Sequence, residues 1–508
     1  MHDGYKSQDK FQTVLEQFAR PKSKFAPFVF WFYDQDLTTV GIKPQEMARE
    51  LAKKGFNPGY AHARPNYAWV DGHRDSEHIR VLPHEQWLSE LWFDVMEQQV
   101  RQAEVDGSHV SFTDEFGWPS LQADGQLVRN DPTLQSKNLR FEYVDLEPGE
   151  TVDLEGHFFS VSAKKVGTEQ TSFITYDNTE NWKRIGSSFD QCPPDRNNAE
   201  PINMASHWSE TPHAYCEYHV NIPEGGLYRL YATWGQTGNN TEKAAYVAGE
   251  QTFAVNQKEN VFCWNHLGEV ELSRGMQIIR LQNREAGRLS ADAVKLISED
   301  GREIIVDDLQ TTDRIIAYLD ADSLTVRDEK SFQATEPCRV YLFDLQAYRG
   351  YDGGNVDYLS RRVVDLFMEI AWKPYFDKFS SLMGAGLPMN GIFSDHEGDY
   401  GYKMAWSEDL KSLFQSKYGE DIRRILPLLI DRDVQGKDVV WRYRWFDTVS
   451  DMYAELFHKL SDEAAKHGLY FTMHTWEESL QLQASCVGDV YKLNRGVSLP
   501  GTDALCRV

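Results

Sequence analysis

The sequence predicts an α/β fold, a (β/α)8-type TIM barrel interrupted by an all-β sandwich. Three observations carry that reading. Apolar runs of strand length alternate with amphipathic helical stretches over residues 1–123, short alternating runs broken by Gly, Pro, Asn and Asp fill 124–335, and the first rhythm returns over 336–508. With 508 residues the chain is too long for one ordinary core, so two or three domains are expected.

Residues 6–19 read as a short amphipathic helix stopped by Pro21, and the apolar run FAPFVFWFY (25–33) as a buried strand. Leu37, Ile42, Met47, Leu51 and Phe56 then recur at roughly helical spacing, with Gly55 placed as the stop. A second strand, GYAHARP (59–65), precedes a long helix from His84 to Asp106, and HVSFTDE (109–115) is the third strand. Strand, helix and strand in this order imply parallel βαβ units. In the middle segment AYCEYHVNI (214–222), LYRLYATW (227–234), EVELSRGMQIIRLQ (269–282) and SADAVKLI (290–297) have the spacing of a sandwich. From RVYLFDL (339–345) the α/β rhythm resumes, with a helix over 355–380, a strand MNGIFSD (389–395), helical stretches 406–417 and 437–466, and a strand LYFTMHTW (469–476). Five or six βα units are visible, and the last strands are not apparent before Val508. The expectation is a barrel cut short at its C-terminus, or a partial barrel completed by other elements.

Hydrophobic residues make up 41% and charged residues 26%, a globular composition. The formal charge of −25 repels phosphate backbones and anionic lipid, which speaks against nucleic acid and membranes as partners and leaves neutral ligands open. Aromatic residues reach 13%, which suits flat sugar faces as well as it suits a large core. Six Cys without CxxC or CxxH spacing speak against a zinc or thioredoxin-type site. The N-terminus lacks the apolar stretch of a signal peptide, and no run of about 20 apolar residues follows, so a cytoplasmic protein is expected.

Barrel active sites lie at the C-terminal strand ends. Here those ends carry Asp34 and Asp36, His62 and Arg64, Asp114 and Glu115, then Asp395, His396 and Glu397, and finally His474, Glu477 and Glu478. A single acid after a strand is ordinarily an N-cap or turn residue, which accounts for Asp34 and Asp36, although Asp34 is kept as a substrate contact. Three strands ending in acid pairs beside aromatic or His residues ask for more. Glycosidic cleavage needs one protonated carboxyl to assist the leaving oxygen and one ionised carboxyl to activate water or attack carbon.

Strand alternation groups Thr113 with Glu115, Asp395 with Glu397, and His474 with Glu478. Glu115 is therefore the first catalytic candidate, with Asp114 in support. Asp395 and Glu397 are equal candidates, and Glu478 is preferred to Glu477, although this pair also reads as the first-turn acids of the helix ESLQLQAS. His62, Arg64, His396 and His474 are candidates to bond sugar hydroxyls, and Trp118 and Trp476 to stack on a pyranose. Oxygen-rich ligation at such a mouth would favour calcium over zinc, with no ligand set assigned.

The segments FVFWFYDQDLT, GYAHARP, TDEFGWPS, NVDYLS, GIFSDHEGDYG, LYFTMHTWEES and LPGTDAL resemble glycoside hydrolase family one hundred and six, the barrel α-L-rhamnosidases, over 1–123 and 339–508. That resemblance implies an inverting hydrolase with two Glu residues and a calcium ion engaging the sugar. Where relatives commonly read Phe, Thr, Asp, Glu, Pro, this chain reads Phe393, Ser394, Asp395, His396, Glu397. The middle segment resembles a golvesin-type sandwich in GGLYRLYATW, CWNHLGEVEL and SADAVKLI, which implies binding of a sugar or wall polymer. Two other readings stay open: a carbohydrate-binding protein that has lost its acid at His396, and a retaining, galactosidase-like barrel hydrolase.

Overall fold

The computed structural model describes residues 15–16, 18–19, 26–39, 41, 43–64, 82–185, 206–235, 239–261, 263–307, 315–348, 355–395, 400, 404–475 and 480–501. The helix expected over 6–19 falls almost wholly outside them, as do His396, Glu397, Trp476, Glu477 and Glu478.

Six strands form one parallel sheet in chain order: β1 (Phe28–Tyr33), β2 (Asn57–Ala63), β3 (Val110–Phe116), β4 (Met389–Asp395), β5 (Tyr470–His474) and β6 (Leu499–Pro500). The expected eightfold barrel is thus met, among the described residues, by six parallel strands in a mixed α/β fold. The sheet is curled. Phe28 on β1 and Tyr470 on β5 stand four strands apart, about 19 Å across a flat sheet, yet their rings are 6.0 Å apart between centroids. Phe30 likewise reaches Phe393 on β4 at 4.9 Å. The concave face therefore gathers one side of every strand, as in a barrel interior.

The helices follow local chemistry. Pro44 opens α1 (Pro44–Lys53), its missing N–H harmless in the first turn. Ser89 caps α2 (Glu90–Asp106) by accepting the Trp92 N–H, which detaches the short 3-10 turn at His84–Gln86 from the single helix expected there. Gly107, at φ +66°, ends it. The helix expected over 355–380 is α3 (Arg361–Phe367), a π-helical turn (Met368–Trp372) and α4 (Lys373–Phe379). Pro374 has no N–H for the carbonyl four residues back, so the ladder widens just before it. Trp372 sits at that widened turn and donates its indole N–H to Asp114. The long helix α5 (Lys437–Lys466) leads into β5. Among the described residues, no helix is long and apolar enough to cross a membrane.

Between β3 and β4 lie two β bodies. Strands Lys137–Leu146, Cys338–Ala347, Phe159–Gln170 and Ile315–Leu319 pair antiparallel in that order. Residues 339–345, expected to resume the barrel, thus lie antiparallel between two neighbours. This sheet shares its core with the parallel one: Phe159, Tyr341 and Phe343 belong to the same buried cluster as Phe112 and Trp372.

Nested within it is a sandwich. Five antiparallel strands (Gln251–Val255, Ala244–Ala248, Gly275–Asn283, Tyr215–Ile222, Phe173–Tyr176) are accompanied by four (Asn265–Leu272, Gly226–Thr233, Ala293–Ser298, Glu303–Asp307). The strand Tyr215–Ile222 alternates half-buried and buried residues without a break, the mark of a sheet with one face inward. Tyr218, Leu230, Tyr246, Ile279, Leu281 and Leu296 fill a core of their own. The expected run 269–282 divides before Gly275, φ +100°, into two strands that belong to the two different sheets.

Candidate active site

The concave face changes character from bottom to top. Phe28, Tyr60 and Tyr470 meet low on the face, with Tyr470 OH 2.8 Å from Ser111 Oγ. Higher up, Phe30 and Phe32 are 45% and 43% exposed, large apolar rings left open to solvent. At the C-terminal rim the side chains become polar.

Register places them together. Phe32 is level with His62, and Asp395 with His474. His474 Nε2 lies 2.8 Å from Asp395 Oδ1. Burial by itself would raise the Asp395 carboxyl, but the hydrogen bond from His474 and the charges of His474, His62 and Arg64 overcome it and hold its pKa below the ordinary value.

His62 is fully buried and its Nε2 lies 2.7 Å from the Gly117 carbonyl, so Nε2 carries the proton. Burial lowers its pKa to about 4 against the pull of Asp395, and the ring is neutral at pH 7. Its Nδ1, buried and facing no hydrogen-bond donor among the described residues, is an acceptor awaiting one. The Arg64 guanidinium lies 3.7 Å from the Trp118 ring centre and 4.9 Å from that of Phe32. Asp34, half-buried at the end of β1, has its pKa raised by burial. Asp36 is a turn residue, accepting the Thr38 N–H and Oγ1–H and the Gln86 amide.

Two expectations need correction. Asp114 does not face the mouth. It shares a strand face with Phe112, which stacks on Tyr375 at 4.0 Å, so it points at the helical layer. There its carboxyl accepts Ser120 Oγ–H at 2.7 Å and Trp372 Nε1–H at 3.1 Å, and burial raises its pKa to about 7. Glu115, expected to act on substrate, is also fully buried. Its two oxygens accept the N–H groups of Phe116, Gln122, Ala123 and Asp124 at 2.6 to 2.9 Å. Alternation breaks within β3, where the register with β2 shifts between Ala61–Phe112 and Ala63–Phe116, and the loop that follows folds back over the side chain. Burial raises the Glu115 pKa to about 8 against the opposing pull of the Asp124, Phe116 and Ala123 amides, whereas the hydrogen-bond geometry favours the ionised form. With donors on every side, the O–H of a neutral acid would have no acceptor.

Sequence reasoning missed Ser120 and the Phe30–Phe32 pair. Nothing marks Ser120 in the sequence; it accepts the Asp395 N–H at 2.8 Å while donating to Asp114. The phenylalanines were legible as alternate residues of FVFWFY, but an unbroken apolar run hides which face is open. As for calcium, no three His, Cys, Asp or Glu side chains among the described residues are arranged to hold a metal. Three of the described carboxylates already have protein partners: His474 holds Asp395, Ser120 and Trp372 hold Asp114, and four amides hold Glu115.

Residues 170–298 match the family model of the Golvesin C-terminal domain, in agreement with the likeness read from the middle segment. Among solved structures the chain is similar to a rhamnosidase from Novosphingobium sp. PP1Y, with a TM-score of 0.47 and 13% identity over 95% of this chain and 48% of that one. The chain thus spans about half the length of that rhamnosidase. A family 35 carbohydrate binding module from Clostridium thermocellum is similar at a TM-score of 0.19 and 14% identity, over 26% of this chain and 99% of the module. A Paenibacillus xanthan lyase is similar at 0.19 and 21%, over 25% of this chain and 13% of the lyase. Among curated proteins no sequence matches.

Proposed function

We propose that this protein is a glycoside hydrolase whose mouth lies at the C-terminal ends of β1 to β5, on the concave face of a TIM-barrel-type sheet. The observation that carries the reading is the Asp395 carboxylate. It is held ionised by His474 at a strand end, beside a buried, neutral His62.

An ionised carboxyl suits the base of an inverting reaction. Asp395, or the sequence candidate Glu397, takes a proton from water as the water oxygen bonds the anomeric carbon. The departing glycosidic oxygen takes a proton from a second carboxyl, for which Glu478 and Glu477 are the sequence candidates. For inversion the two carboxyls stand about 6.5 to 9.5 Å apart. His62, Arg64, His474 and Asp34 bind hydroxyls and Phe32 and Trp118 offer ring faces, with His396 and Trp476 kept as sequence candidates for the same two roles. An apolar shelf of this kind suits a 6-deoxyhexoside such as an α-L-rhamnoside, and the sandwich suits a second saccharide contact.

One observation favours a non-catalytic, carbohydrate-binding reading instead: Asp395, Asp114 and Glu115 each already have protein partners. A panel of nitrophenyl glycosides separates the two. Turnover of one glycoside supports the hydrolase, and saccharide binding with no turnover supports the binder.

A further inference from the structure

The loop after β3 is wrapped around the Glu115 carboxyl group. Glu115 Oε1 accepts the N–H groups of Phe116 at 2.9 Å and Asp124 at 2.6 Å, and Oε2 those of Gln122 and Ala123, both at 2.8 Å. A carboxylate has about four acceptor directions, so the set is full. The same loop holds left-handed backbone at Leu121 (φ +75°), Ala123 (φ +49°) and Asp124 (φ +56°), where side-chain-bearing residues are strained. Successive amides turned toward one point form an anion nest, and without an anion they would be buried donors with nothing to meet.

This loop touches three residues of the mouth. The Gly117 carbonyl fixes His62 at 2.7 Å, and the Trp118 ring lies under the Arg64 guanidinium. Ser120 bonds Asp395 twice: Ser120 N–H donates to the Asp395 carbonyl at 2.5 Å, and Ser120 Oγ accepts the Asp395 N–H at 2.8 Å.

We propose that Glu115 is a positioning residue: it is the internal anion of a four-amide cradle that sets the loop and, through Gly117, Trp118 and Ser120, sets His62, Arg64 and Asp395. The cradle itself is then a receptor for a small carboxylate, filled in the native protein by its own chain. The proposal deepens the reading of this mouth as a sugar site and rests on it for its functional weight, but the cradle can be tested without any activity.

Hydrogen exchange and thermal melting of the full chain test it at pH 7, with formate as the probe and chloride at equal ionic strength as the control. In Glu115→Ala, exchange is expected to accelerate over 116–124 and at Asp395 together. Saturating formate should restore both and raise the melting temperature, leaving the wild type unmoved. Glu115→Gln, whose NH2 faces donors and fills the cavity, should lose protection and gain nothing from formate. If Glu115→Ala is recovered unfolded, refolding with formate and failing with chloride supports the cradle, and failing in both overturns it. Protection retained in Glu115→Ala without anion overturns the proposal, as does loss that formate never reverses, or recovery of 116–124 without Asp395. A wild type that hydrolyses no glycoside would remove the hydrolase reading and leave these outcomes as they stand.

Discussion

His474 Nε2 lies 2.8 Å from Asp395 Oδ1, a contact between level residues at the ends of two adjacent parallel strands. Burial raises the Asp395 pKa, and His474, His62 and Arg64 together lower it by more. His474→Ala removes the largest of the lowering influences, so the Asp395 pKa rises. If Asp395 is the base, the acidic limb of the pH–rate profile moves to higher pH in His474→Ala, while the alkaline limb stays. An unmoved acidic limb would separate Asp395 from the rate.

Asp114 gives a stability effect of opposite sign. Its folded pKa of about 7 stands above the ordinary 3.8. The stability it contributes is whole below about pH 4, declines as the pH rises toward 7, and is lost above. For one proton the slope is at most about 1.4 kcal/mol per pH unit. Urea unfolding of wild type and Asp114→Asn between pH 4 and 8 should show a steeper decline in the wild type than in the variant, in which buried Glu115 and Asp357 still titrate.

The antiparallel sheet is fastened by a buried ion cluster. Arg339 and Asp431 are 1% and 0% exposed and 2.9 Å apart, with Asp431 also accepting the Ala317 N–H and bonded to Tyr341 OH. Asp145 holds the other side of the guanidinium at 2.8 and 3.0 Å. Asp431→Ala leaves a buried charge short of a partner and should cost about 3 to 5 kcal/mol. Replacing Arg339 and Asp431 together by Leu should cost less. Chemical unfolding measures both.

The sandwich has a core separate from that of the parallel sheet. Leu230 is fully buried in it, and Leu230→Ala should destabilise by about 2 to 5 kcal/mol. Calorimetry should resolve two transitions, with this substitution lowering one. A single transition that shifts as a whole would show the cores to be coupled.

Much of this architecture was legible in the sequence, and the failures have physical causes. Strands β1 to β5 announced themselves because period-2 and apolar runs end at turn residues. Residues 339–345 were misplaced because Cys338–Phe343 are all buried, so that Val340–Phe343 give an antiparallel strand the apolar run of a parallel one. Asp395 and His474 were found because strand ends are where barrels carry chemistry. Glu115 was given the wrong surroundings because strict alternation was assumed through β3, where the register with β2 shifts between Ala61–Phe112 and Ala63–Phe116, and because the amides of the following loop turn back on it. The partner of Asp114, Trp372, lies 258 residues away and reaches it from a turn that only a packed helix creates.

The most direct test of the central claim is the turnover of Asp395→Asn on whichever aryl glycoside the wild type hydrolyses, with folding checked by melting. If the mouth at β4 and β5 does the chemistry, kcat falls by about 100-fold or more with the fold retained. A kcat within a few fold of wild type would contradict it.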